Sequence, residues 1–127
     1  MDKKVLLADF ARAVEKLSDA LSLPVRSDLE KAGCIQYFEF CFELAWKSIR
    51  LAVEHQGLGD CSSPKACLKQ AFALRWLDDE EIWLDMLSAR NRMSHTYNAE
   101  DALKVYDRLK VYSPELGKLR AILESQE

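Results

Sequence analysis

The stretch IQYFEFCFELAWKSIRLAVEH, residues 35–55, decides the fold. Ile35, Phe38, Phe42, Ala45 and Ile49 recur at helical spacing and make one apolar stripe, and Cys41, Leu44, Ser48 and Leu51 make a second beside it. Together the stripes are wider than a helix with one wet face needs. Such a helix is either central to a bundle or shared between subunits.

Working outward, Asp28 marks the start of this helix and Gly57 and Gly59 mark its end. Upstream, Leu7, Phe10, Val14, Leu17 and Leu21 predict a helix over 4–22, broken by Pro24. Downstream, Ser63 before Pro64 is an N-cap followed by proline at the first helical position, and predicts a short helix to about residue 72. Asp78 with Glu81 three residues on has the capping-box spacing, and Ile82, Trp83, Met86 and Leu87 supply an apolar face. Asn98 and Asp101 open another helix carrying Ala102, Val105, Tyr106, Leu109 and Tyr112. Ser113-Pro114 repeats the start signal and predicts a separate last helix with Leu116, Leu119 and Leu123. No strand-like alternation competes. The expectation is an all-α, up-and-down four-helix bundle with one or two additional short helices, forming a single domain over 1–127. The surplus of aromatics on the central helix points to a homodimer.

Four Gly and three Pro in 127 residues fit long helices, and 49% hydrophobic with 31% charged residues is a globular balance. The formal charge of -3 excludes a broadly basic nucleic-acid binder, so any RNA contact must come from a local patch or from a cleft shared by two chains. No leader and no run of 18 apolar residues stands out, so a cytoplasmic protein with no membrane association is expected. Cys34, Cys41, Cys61 and Cys67 form no CxxC pair, and His55 and His95 lie far from any cysteine pair. No structural zinc, other metal or cofactor is expected, and reduced cysteines are the simplest fit, with Cys34 and Cys41 in the core. A paired-carboxylate metal site at Glu39 and Glu43 lacks the accompanying Glu-x-x-His unit.

Chemistry concentrates in Arg90-Asn91-Arg92-Met93-Ser94-His95-Thr96-Tyr97-Asn98, where one helix ends and the next begins. His95 can take a proton near neutral pH. Arg90 stays charged and donates in a fork suited to phosphate oxygens. That pair suits metal-independent RNA cleavage, in which the 2'-hydroxyl attacks its own phosphate. It equally suits nucleotide binding, with Arg90, Asn91, Arg92 and Tyr97 on the ligand. Five residues place His95 roughly 140° from Arg90 on an ideal helix, so the two meet only if the helix ends near Ser94 or if a dimer aligns them. A structural reading also stands: His95 capping its helix and Tyr97 packing. Ser94 shares a face with Arg90, and Glu39 or Glu43 can orient Arg90 from inside the bundle. Trp46 and Trp83 read as core or interface aromatics, and His55 as a residue near a helix end.

Three segments in this order resemble the nucleotidyltransferase substrate-binding proteins of the HEPN superfamily. They are residues 36–47, Ser63-Pro64, and residues 81–87 running into Arg90-Asn91 and 94–98, so the resemblance spans roughly 3–120. It implies a dimeric helical bundle partnered by a minimal nucleotidyltransferase, often as toxin and antitoxin. It implies an Arg-x4-His ribonuclease pair at Arg90 and His95 in a dimer cleft, with Asn91 beside it. It also implies that Tyr97, two residues after the His, is where the partner attaches AMP and so repels RNA phosphate. No nucleotidyltransferase motif (Gly-Ser followed by paired aspartates) occurs, so the chain is not itself the transferase. Endoribonuclease toxin and non-catalytic nucleotide- or substrate-binding subunit are the two functions the residues leave open, with a purely structural dimer as a third.

Overall fold

The computed structural model describes residues 2–24, 27–95 and 98–126, the side chain of His95 excepted. Among these described residues lie five helices: α1 (Lys3–Ser22), α2 (Asp28–His55), α3 (Pro64–Ala73), α4 (Glu80–His95) and α5 (Ala99–Ser125). Four are long and α3 is short, the all-α four-plus-one arrangement expected. α2 packs on all four others, and α5 on α1, α2 and α4, while among the described residues α1 and α4 make no contact with each other. The two apolar stripes on α2 thereby find partners on both flanks: Phe38, Cys41, Phe42, Ala45 and Ile49 are fully buried. Buried residues from every helix join one connected core.

Local chemistry sets the helix ends. Asp2 caps α1 by accepting from Lys4 N at 2.9 Å. Ser27 caps α2, its Oγ accepting from Glu30 N at 3.1 Å and donating to Glu30 Oε1 at 3.0 Å. α2 closes with Gly57 at φ 66, Leu58 N donating to Val53 O and Gly57 N to Glu54 O, a paired closure that needs the left-handed backbone glycine tolerates. Ser63 Oγ accepts from Ala66 N as the Ser-Pro signal predicts. α3 ends in the same paired closure, but there the left-handed residue is Arg75 at φ 63. A side chain at that φ costs about 1 kcal/mol, offset by burial of the following Trp76 and Leu77.

Three expectations are corrected. The cap of α4 is Asp79, not Asp78: its carboxylate accepts from Ile82 N at 3.1 Å, so Glu81 takes no part in a capping box. The Ser113-Pro114 signal starts no helix, because α5 runs unbroken through Pro114. Proline at that position lacks an N–H and costs about 3 kcal/mol in a helix interior. The register Val105, Leu109, Tyr112, Leu116, Leu119, Leu123 is buried throughout and outweighs the local penalty. Cys61 and Cys67, expected reduced, form a disulfide with Cα atoms 5.1 Å apart, since the loop before α3 folds back over the helix's first turn. Cys34 and Cys41 are free and buried, and burial pushes the Cys41 thiol up to about 12, an inert core thiol. Among the described residues no helix is long and apolar enough to cross a membrane.

Candidate functional site

The site is built where the C-terminal half of α4 crosses the middle of α2. Arg90, on α4, reaches across to Glu43 on α2, with Nη2 2.5 Å from Oε1. The other carboxylate oxygen of Glu43 accepts from the Trp46 indole Nε1 at 2.8 Å, one turn further along the same helix. Arg90 Nη1 donates to Asn91 Oδ1 at 3.1 Å. The guanidinium is therefore held at two corners. The carboxylate holding it is itself held by a nearly buried indole, so the whole arrangement is anchored in the core. The Arg90 and Glu43 side chains keep 27% and 34% of their exposure, so both remain reachable by a solute.

Other sequence-identified residues fall differently. Glu39, one turn before Glu43, lies near Arg90; partial burial raises its carboxyl above the ordinary range and the Arg90 charge opposes that. Neither Glu39 oxygen has a hydrogen-bond partner among the described residues. Ser94 donates back to the Arg90 carbonyl at 2.9 Å and closes the last turns of α4. Arg92 is not brought to Arg90: its Nη1 lies 3.3 Å from Ser88 Oγ, on another face of α4. His95 is the last residue of α4, and its side chain lies outside the described residues, as do Thr96 and Tyr97. Asn98 caps α5, accepting from Glu100 N and Asp101 N at 2.9 and 3.1 Å. Among the described residues no group of three or more His, Cys, Asp or Glu side chains gathers.

Sequence reasoning missed two supports. One is the Trp46 indole, whose signal was its position three residues after Glu43. The other is a polar latch between α4 and α5: Asp85 Oδ2 accepts from Tyr112 OH at 2.6 Å and from Arg108 Nε at 3.2 Å. Burial, and then the bond to Asp85, pushes the Tyr112 phenol well up, so it stays a neutral donor. The latch fixes α4 against α5 little more than a turn before Arg90. Its members lie 23 and 27 residues apart and leave no local pattern.

Beside the arginine opens a cavity of about 250 Å³ between α2, the end of α4 and the start of α5, lined by residues that include Gln36, Glu39 and Met93. The class is a helical-bundle protein with a braced, partly exposed arginine whose charge reaches Glu39 in the wall of an open cavity.

The particular family follows from comparison. Residues 6–125 match the family described as nucleotidyltransferase substrate binding protein like, and the chain belongs to that family, within the HEPN group. It is 32% identical over 79 residues to the probable ribonuclease HepT of Haemophilus influenzae, a match covering 59% of this chain and 54% of that protein, so the chain spans about half the length of the curated relative it matches. The crystal structure of a Thermus thermophilus protein superposes with a TM-score of 0.82 at 28% identity, covering 90% of this chain and 98% of that one. A Haemophilus influenzae structure, described as revealing the fold of a substrate binding domain of a nucleotidyltransferase, superposes with a TM-score of 0.72 at 29% identity, covering 97% and 99%.

Proposed function

We propose that this chain is the nucleotide- or substrate-binding subunit of a two-component nucleotidyltransferase, acting as a cytoplasmic homodimer beside a minimal nucleotidyltransferase. The observation that carries this reading is the braced Arg90. Glu43 and Asn91 engage two of its five N–H donors and leave three uncommitted among the described residues. A guanidinium with fixed orientation and spare donors is pre-organised for a phosphate group. The Haemophilus structure described as a transferase's substrate binding domain supports the same role. Asn91 holds the guanidinium plane, Ser94 tightens the helix end behind it, and Glu43 with Glu39 sets the local field. Arg92, on another face, serves a second phosphate of a longer ligand. Half-exposed Phe40 on α2, an aromatic at an outward position, supports a second copy covering that face.

A second reading is favoured by the likeness to the probable ribonuclease HepT and by the Arg90-x4-His95 spacing: metal-independent endoribonuclease toxin. There His95 removes the 2'-hydroxyl proton, Arg90 stabilises charge on the phosphate, and AMP placed on Tyr97 by the partner blocks RNA. Two assays separate the readings. Total bacterial RNA is incubated with wild type and with His95→Ala, both verified as folded. In parallel the cognate transferase is supplied with labelled ATP and either wild type or Tyr97→Phe. Binding-subunit function predicts intact RNA with both proteins; discrete fragments from wild type alone establish the ribonuclease. Label on wild type but not on Tyr97→Phe establishes Tyr97 as the acceptor.

A further inference from the structure

The cavity beside Arg90 has an uneven lining that limits what fits it. Its walls are apolar on three helices, with Ile35 on α2, Met93 on α4 and Ala102 on α5. Asp28 and Lys31 add charge from the first turns of α2, and Gln36 and Glu39 add polar groups from one face of that helix, three residues apart. Among the described residues, neither the Gln36 nor the Glu39 side chain has a hydrogen-bond partner. Met93 follows Arg90 by three residues, so cavity and guanidinium share one side of α4. The volume of about 250 Å³ lies just below the range of roughly 300–1,000 Å³ usual for whole small-molecule sites. A flat base, with its sugar and phosphate left outside, suits that size.

We propose that this cavity is a base subsite selective for guanine, taking the base of a nucleotide whose phosphate sits on Arg90. This deepens the nucleotide-binding reading above and rests on it. The selectivity comes from the Glu39 carboxylate, which offers two acceptors side by side and, when ionised, no donor. Guanine alone among the four RNA bases presents two adjacent N–H donors on its Watson–Crick edge, N1–H and N2–H, with O6 next to them for the Gln36 amide. Adenine and cytosine place an unprotonated ring nitrogen beside their amino group, and that nitrogen's lone pair repels a carboxylate. Uracil offers one N–H between two carbonyls. Unstacked bases in single-stranded RNA are read along this same edge. A site built around paired hydrogen bonds rejects ligands that leave its polar groups unmatched. Holding a carboxylate in a half-buried cavity without a partner raises its protonation, and guanine donors restore the charged form. The shared chemistry is a guanosine phosphate, either a free mononucleotide or a residue of single-stranded RNA.

The test is equilibrium binding, which does not depend on cleavage or transfer. Wild type, Glu39→Gln, Gln36→Ala and Arg90→Ala, each verified by circular dichroism, are titrated at pH 7 with GMP, AMP, CMP, UMP and inorganic phosphate. A second arm uses 2'-O-methyl tetranucleotides with or without one guanine, which cannot be cut. Wild type is expected to bind GMP at least tenfold more tightly than the other three. Glu39→Gln is expected to lose that preference while binding phosphate at least as well as wild type, and Gln36→Ala to reduce it. A preference confined to the tetranucleotides assigns the subsite to RNA; one already present with GMP assigns it to the free nucleotide. Equal, Arg90-dependent binding of all four nucleotides overturns the guanine subsite and leaves nucleotide binding standing. A preference that survives Glu39→Gln also overturns the subsite. Failure of wild type to bind any nucleotide or phosphate overturns both.

Discussion

Removing Glu43 and Arg90 singly and together measures how firmly the candidate site is built. The two side chains are about one-third exposed, so their Coulomb attraction is well screened. At contact distance it lies between roughly 1 kcal/mol in water and 4 kcal/mol at a protein surface, and ordering two long side chains offsets much of that. A coupling energy of about 1 kcal/mol is expected. The single variants should differ. Arg90→Ala loses mainly the pair, about 1 kcal/mol. Glu43→Ala also strands the Trp46 indole N–H in a nearly buried setting, which adds about 1 kcal/mol. The double variant should cost about 2 kcal/mol, less than the sum of the singles. Urea unfolding of the four proteins, with slopes compared to confirm a common unfolded state, supplies the cycle. Coupling below about 0.3 kcal/mol, or an Arg90→Ala cost equal to or above that of Glu43→Ala, would refute the brace.

Three further outcomes are expected. Glu39→Gln should raise the unfolding midpoint at pH 7. The folded-state carboxyl is raised above 4.5, so wild type loses stability as pH rises through that raised value, and the variant's advantage should vanish below pH 4.5. The Arg90 charge on α4 opposes the shift, Asp28 and Lys31 of α2 share the cavity lining with Glu39, and Ala99, Ala102 and Leu103 of α5 add no charge to it. Asp85→Ala should cost about 2 kcal/mol in urea unfolding by leaving the Tyr112 hydroxyl unpaired; adding Tyr112→Phe to that variant should cost little more, and full additivity would sink the latch. Pro114→Ala should stabilise α5 by at least about 1 kcal/mol, read as a higher melting midpoint, because it restores an intrahelical hydrogen bond without disturbing the buried register.

Features written in local sequence were readable. The double stripe of residues 35–51 identified the central helix, and Ser63-Pro64 and Asn98 gave true helix starts. Asp78 and Asp79 are chemically equivalent caps, and only the packing of Trp83 and Met86 selects the second. Ser113-Pro114 misled because a local start signal was weighed above the four-three-four spacing that runs through it from Val105 to Leu123. At the site, the choice between Glu39 and Glu43 as the orienting carboxylate was open in sequence: the two lie one turn apart, and only the crossing of α4 over α2 sets which one meets Arg90. The Trp46 and Asp85–Tyr112 supports depend on tertiary contact, as does the closure of Cys61 onto Cys67.

The most direct test of the account is the affinity of the intact protein for a mononucleotide, measured by titration calorimetry for wild type and Arg90→Ala at low salt. A hydrogen-bonded charge contact contributes about 1.5–3 kcal/mol, so Arg90→Ala should weaken binding roughly tenfold to a hundredfold while leaving the helical spectrum unchanged. Equal affinity in the two proteins would contradict the central claim that this braced arginine holds the nucleotide's phosphate.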